Sequence, residues 1–171
     1  TDIGNIDSFF EANIGLTDDI PQFNLFDNEN KIYTRPRLLP PSKFQKTLIE
    51  KSLISEGCIL NAKEIKKSVI GIRSRIGEDT IIQNSYVMGN DYYQSLEDMN
   101  EDIYNDKLLV GIGERCYINN ALVDKNVRIG NDVYINGGKH LENCSNELYA
   151  VKDGIVVIKK GATIPNNFVV K

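Results

Sequence analysis

Ile65-Lys66-Lys67-Ser68-Val69-Ile70-Gly71-Ile72-Arg73-Ser74-Arg75-Ile76-Gly77-Glu78-Asp79-Thr80-Ile81-Ile82-Gln83-Asn84-Ser85-Tyr86-Val87-Met88 is the stretch that decides the architecture. Within it Ile70, Ile76, Ile82 and Met88 stand six residues apart. Leu53, Ile59 and Ile65 keep the same spacing before a slip of one residue ahead of Ile70. Further on, Ile112 and Ile118 are six apart, the slip recurs, Val123, Ile129 and Ile135 resume the series, and Ile158, Ile164 and Val170 close it. The two slips share an order of aliphatic, two polar, one small and two aliphatic residues, in Ile65 to Ile70 and again in Ile118 to Val123. Such a period is neither that of a helix nor the alternation of a half-buried strand, although the β-branched residues that carry it favour strand. The chain must therefore turn at every sixth residue. Short strands joined by corners, with one large aliphatic side chain per side pointing inward, build a three-sided prism of stacked parallel strands at roughly eighteen residues per coil.

The corners have their own signals. Gly71, Gly77, Gly89 and Gly130 each follow an aliphatic of the series, where a missing Cβ lets the chain tighten, and Asn126, Asn131 and Asn166 suit left-handed dihedrals at bends. The fold class is all-β, a parallel β-helix of the hexapeptide-repeat type. Its left-handed winding comes with that class, since the residues alone do not dictate it. Segments 48–89, 108–135 and 151–170 supply about five coils. Residues 1–47 lack the period and form a linker helix and a proline-rich arm, ahead of a β-helix domain at 48–171. The helix is predicted over Asp7–Ile14, capped by Asp7 or Ser8 and ended by Gly15. Pro21, Pro36, Pro40 and Pro41 keep the arm extended. Two excursions interrupt the coils: residues 90–107, acidic and with a helical turn or two expected around Leu96 to Tyr104, and residues 136–150.

At 171 residues the chain has room for one domain with an arm, but not for two full-sized catalytic domains. A net charge of −4 argues against a nucleic-acid partner, which demands excess Lys and Arg facing phosphates. The longest apolar runs, such as Ile155 to Ile158, cannot span a bilayer, so no membrane partner is expected. Cys58, Cys116 and Cys144 are odd in number and widely spaced, which fits neither a disulfide framework nor a metal site and points to a reducing, cytoplasmic setting. One histidine, His140, cannot supply a three-imidazole zinc site, and it falls in the Gly137-Gly138-Lys139-His140 excursion rather than on a coil face. No catalytic residue, metal site or cofactor is expected within the chain. Arg35 and Arg37 lie on a proline-stiffened strand, Lys125 stands beside one corner, and Lys159 and Lys160 stand at another. If the arm folds back along the prism, these cations frame a phosphate pocket.

Several blocks in fixed order resemble the carboxy-terminal region of ADP-glucose pyrophosphorylase, or glucose-1-phosphate adenylyltransferase. They are Asp2-Ile3-Gly4 leading into Ser8-Phe9-Phe10, the arm Arg35-Pro36-Arg37-Leu38-Leu39-Pro40-Pro41-Ser42-Lys43, and Gly71-Ile72-Arg73-Ser74-Arg75-Ile76. Met88-Gly89-Asn90-Asp91-Tyr92-Tyr93, Asp124-Lys125-Asn126-Val127-Arg128-Ile129-Gly130 and Gly154-Ile155-Val156-Val157-Ile158-Lys159-Lys160 continue the likeness to the end of the chain.

The resemblance implies a parent enzyme that makes ADP-glucose and pyrophosphate from ATP and glucose 1-phosphate with Mg²⁺, for glycogen or starch. It implies that the catalytic nucleotidyltransferase domain precedes Thr1, so that this fragment is inactive and acts as a regulatory and oligomerisation domain. Lys125 and Lys160 match the family's lysines for phosphorylated activators or inhibitory phosphate, Arg37 matches an anion-binding arginine of the arm, and Asp91 falls near the same region. The partners so implied are phosphate, sulfate or a phosphorylated sugar, the catalytic domain, and further copies of the chain in a tetramer. Two other readings stay open from the residues themselves, a stand-alone hexapeptide acyltransferase and a purely structural β-helix module.

Overall fold

The computed structural model describes residues 4–171, so Asp2 and Ile3 of the first block lie outside the described residues. Three sheets form the sides of a prism. The first face stacks Lys43–Phe44, Ile59–Leu60, Arg75–Ile76, Gly111–Ile112, Arg128–Ile129 and Thr163–Ile164. The second stacks Leu48–Glu50, Glu64–Lys66, Ile81–Gln83, Tyr117–Asn119, Tyr134–Asn136 and Val169–Val170, and the third runs through Leu53–Ile54, Val69–Ile70, Tyr86–Val87, Ala121–Val123 and Ile155–Ile158. Every pairing between successive coils is parallel. The chain makes five full turns and two further sides.

The expected core side chains fill the interior. Ile82 and Ile164 have no exposed surface, and Ile76 and Ile129 almost none. The register differs from a strict period of six at three places. Leu60, Ile54 and Val87 point inward where Ile59, Leu53 and Met88 were expected. Leu60 pairs with Ile76 and Ile65 with Ile82, so a coil takes 16 or 17 residues rather than eighteen. One residue is saved at the corner between the second and third faces, where Lys67, Asn84 and Asn120 adopt φ of +45°, +40° and +51°, and the 16-residue coil saves another between the first and second faces, from Leu60 to Ile65. One left-handed residue turns the chain in less length than an ordinary bend. Of the three asparagines expected at left-handed bends only Asn126 is one, at φ +59°, while Asp132 and Asn167 take that part beside Asn131 and Asn166. The Oδ1 atoms of Asn131 and Asn166 instead accept from the backbone N–H of Glu114 and Asn131.

Small residues line the inner corners as a ladder. Ser52, Ser68 and Ser85 each accept, through Oγ, the N–H of the next coil, from Ser68, Ser85 and Ala121. Cys58 and Cys116 occupy equivalent places, and their thiols donate to the carbonyls of Gly71 and Gly130. Burial pushes both thiols up in pKa, which removes them from thiolate chemistry. At the corner between the third and first faces, Gly89 has φ +84° and a Cβ there would stand 2.1 Å from the Ile72 carbonyl oxygen. Gly89→Ala is expected to cost about 2–3 kcal/mol in urea unfolding, because both the dihedral and the contact must be relieved; an unchanged midpoint would contradict the packing.

Helix α1 (Ile6–Ile14) covers the outside of the third face. Phe10 and Ile14 are buried against Leu122 and Ile155, with Phe9, Tyr86, Met88 and Val157 around them. Met88 is therefore apolar because the helix roofs it. The cap is Asn5, whose side chain accepts from Ser8 N–H, rather than Asp7 or Ser8, and the helix ends at Gly15 as expected. Helix α2 (Leu96–Tyr104) forms where the acidic excursion was expected to turn, with a capping box between Ser95 and Asp98. The second excursion extends further than expected. Tyr149–Lys152 pairs antiparallel with Ile155–Ile158 and with Cys144–Ser145, so the coil resumes at Ile155 instead of 151. Among the described residues no helix is long and apolar enough to cross a membrane.

Candidate functional site

The edge of the prism between the third and first faces carries the candidate residues. Backbone bonds descend it rung by rung: Gly57 N–H donates to Pro40 O at 2.8 Å, Arg73 to Glu56 at 3.2 Å, Asn90 to Ile72 at 2.9 Å, Asn126 to Gly89 at 3.3 Å and Gly161 to Lys125 at 2.9 Å. This ladder brings residues remote in sequence onto one line.

Lys125, Lys160 and Asp91 meet there. Lys125 Nζ donates to Asp91 Oδ1 at 2.7 Å, and Lys160 Nζ stands 3.9 Å from Asp91 Oδ2. Asn126 holds the same aspartate twice, accepting from its backbone N–H at 2.8 Å and donating Nδ2 to Oδ2 at 3.0 Å. The hydrogen bond from Lys125 and then that from Asn126 keep the Asp91 carboxyl below its ordinary value. Asp124 accepts the Lys125 backbone N–H, which fixes the start of the turn. The side chain of Lys125 is about one-third exposed and that of Lys160 nearly two-thirds exposed, so both can meet a solute.

Arg37 is not part of this cluster. It is exposed, and its Nη1 donates to the carbonyl of Arg35 within the arm. The arm joins the same edge at Pro40, four rungs above Lys125, on the order of 19 Å at about 4.8 Å per rung. Lys159 is committed elsewhere, since its Nζ bonds Ser145 Oγ and the carbonyl of Asn146 in the hairpin. That contact leaves Lys160 as the cation of its turn. Arg73 lies two rungs above Lys125 with its guanidinium over the Tyr93 ring, 5.6 Å from the centroid, and Tyr93 Oη donates to Gly57 O. His140 is exposed on the second excursion, with its ring against Gly138.

Asn126 was legible only as a bend, yet it is the residue that orients Asp91. Its sequence signal is the same left-handed position: a turn asparagine leaves its amide free to bond the adjacent rung. No group of three or more His, Cys, Asp or Glu side chains suited to a metal occurs among the described residues.

A parallel β-helix with paired lysines and a carboxylate on one edge is the class that this geometry defines. Residues 37–169 match the family model of the GLGC left-handed parallel beta-helix domain, so the chain winds left-handed. The chain belongs to that family, the C-terminal domain of ADP-glucose pyrophosphorylase, a glucose-1-phosphate adenylyltransferase.

Proposed function

We propose that the chain is the regulatory and assembly domain of an ADP-glucose pyrophosphorylase, and that its third-to-first edge binds an effector anion. The observation that carries the reading is the convergence of Lys125 and Lys160 on one point of the edge, 2.7 and 3.9 Å from a shared carboxylate. Two ammonium groups held this close repel each other and attract a dianion. Phosphate, sulfate or a phosphorylated sugar has the matching charge. Arg37 enters as a second contact only if the arm folds down the edge or a neighbouring domain or subunit presents it. For this chain alone affinity is weak, on the order of millimolar. Regulation follows if the anion makes different contacts in two arrangements of this domain and the catalytic one, because only differential affinity shifts a population.

Inorganic phosphate added to the chain is expected to move the amide NMR signals of Lys125, Asn126, Lys160 and Gly161, and Lys125→Ala or Lys160→Ala to abolish the movement. Unchanged shifts in both variants would remove the assignment. Mg²⁺ and ATP chemistry, in this reading, belongs to a separate nucleotide-binding domain, because the 171 residues contain no glycine-rich phosphate loop. The chain on its own is expected to form no ADP-glucose from ATP and glucose 1-phosphate; measurable product from the pure chain would refute that division of labour. Assembly into a tetramer fits the first coil, where Phe44, Leu48 and Ile49 are exposed at the open end of the prism. Free thiols at Cys58, Cys116 and Cys144 suit a reducing cytoplasm.

A further inference from the structure

Helix α2 leaves one flank uncovered. Met99 and Asp102 turn toward the first face, where they meet Arg75 and Arg128. Beside them Leu96, Ile103 and Tyr104 each keep more than half of their surface exposed, and their spacing of seven and eight residues from Leu96 puts the three on one side of the helix. Glu97 and Glu101 border that side, one turn apart. The other two carboxylates are already engaged, Asp98 in the capping box and Asp102 with Arg128. The helix carries no cation of its own. An apolar strip with an acidic margin suits an extended segment that is apolar on one side and basic on the other.

The arm is such a segment. Lys31-Ile32-Tyr33-Thr34-Arg35-Pro36-Arg37-Leu38 holds three cations and no carboxylate. Extended backbone, which Pro36 favours, sets Ile32, Thr34, Pro36 and Leu38 on one side and Tyr33, Arg35 and Arg37 on the other. Ile32, Tyr33 and Leu38 are also more than half exposed. The arm is anchored at the foot of the same excursion: Gly57 N–H donates to Pro40 O, and a Cβ built on Gly57 would stand 3.4 Å from Leu39 Cβ and 2.2 Å from Tyr93 Oη. Tyr93 is three residues ahead of Leu96, a step of at most about 10 Å. Eight extended residues span about 26 Å, against about 13.5 Å for the helix, so the arm reaches its whole length. Leu38, at φ +49°, is the bend from which the arm turns.

We propose that the exposed flank of α2 is a docking surface for the chain's own arm. Residues 31–38 lie along the helix, with Ile32, Pro36 and Leu38 against Leu96, Ile103 and Tyr104 and with the arm's cations beside Glu97 and Glu101. The contact covers apolar side chains that both elements otherwise expose, and it secures a helix that has no buried residue. Charge selects the occupant, since an acidic segment would be repelled from the same strip. The inference is independent of the anion reading of the lysine edge, and its failure leaves that reading untouched.

The test uses the full chain carrying Tyr33→Cys and Cys144→Ser, so that a nitroxide spin label attaches at position 33 while Cys58 and Cys116 stay buried. Amide signals of residues 96–104 are expected to broaden, and those of Ile82 and Ile118 to stay sharp and report an intact prism. Adding Glu97→Lys and Glu101→Lys should weaken the broadening about fivefold or more, because two exposed ion pairs become repulsions. Reversing Lys31 and Arg35 to Glu in that variant should restore it. No broadening over 96–104, broadening that persists after the first reversal, or failure of the second to restore it overturns the proposal. A mixture of spin-labelled chain with isotope-labelled chain lacking the spin label identifies the donor of the arm: broadening of equal strength there means that a second copy supplies it, and overturns the assignment to the chain's own arm.

Discussion

Ile82→Ala is expected to lower the free energy of unfolding by about 3–4 kcal/mol, because the side chain has no exposed surface and its coil neighbours on both sides, Ile65 and Ile118, are held in register by backbone pairing. Walls that cannot collapse leave the cavity empty. Ile82→Asp is expected not to fold, since no cation reaches the prism axis to pair with the charge. The companion comparison is sharper still. Val87→Ala should cost about 2 kcal/mol, because Val87 faces the axis, while Met88→Ala should cost less, because Met88 sits on the outer surface under α1. Urea midpoints for the pair decide the register; a larger loss at Met88 would mean that the strict period of six is the true one.

Arg128→Gln is expected to release the excursion that carries α2. That helix has no buried residue of its own, so apolar packing cannot be what secures it. Arg128 Nη1 instead donates to Asp102 Oδ2 at 2.6 Å and to the carbonyl of Leu108, while Gln94 ties Asp102 to the backbone N–H of Val110. Without the guanidinium, amides of residues 95–110 should exchange with solvent faster by on the order of tenfold or more, while those of Ile82 and Ile118 stay protected. Unaltered exchange across 95–110 would refute the anchoring. Acid should act at the same place. The hydrogen bond from Arg128 holds the Asp102 carboxyl below its ordinary 3.8, so the stabilisation it gives is complete above that value. It is lost as pH falls through the depressed one.

Much of this was legible because inward aliphatics are confined to one side chain per face. Ile76, Ile129 and Ile164 have polar or small neighbours and admit one register only, and the step of six from Ile76 selects Ile82 over the adjoining Ile81. Ambiguity arose where two apolar residues adjoin. Leu53-Ile54, Ile59-Leu60 and Val87-Met88 satisfy the spacing in either of two phases, and the outer member is apolar for a different reason in each setting. For Met88 the reason is α1, whose docking site cannot be seen in a local pattern. The cap at Asn5 was missed because Asp7 and Ser8 are equally good cap formers on composition.

The candidate site divides along the same line. Lys125 and Lys160 were visible as corner cations, and the coil arithmetic places them one rung apart. Their meeting with Asp91 depends on how the first excursion leaves the edge, which is a tertiary fact: Asp91 N–H bonds Asn126 Oδ1 across 35 residues of chain. Arg37 lies on the same edge by sequence logic but at a rung too distant to touch the lysines. The hairpin that captures Lys159 gave no warning, since Tyr149–Lys152 reads as well as a coil side as it does as an antiparallel strand.

The first excursion also has a temporal consequence. In a solenoid each rung gains almost all its contacts from the rung beside it, so growth spreads by zipping from wherever it nucleates. Residues 43–87 can zip without interruption, because each coil follows directly on the last. The next join, Ile76 to Ile112, must close a loop more than twice as long as any before it, and loop closure of that length is settled before the new contacts repay it. Folding should therefore pause after the third coil, with a half-built prism whose growing end lies bare, and it is during that pause that the nascent chain has most need of protection from its neighbours.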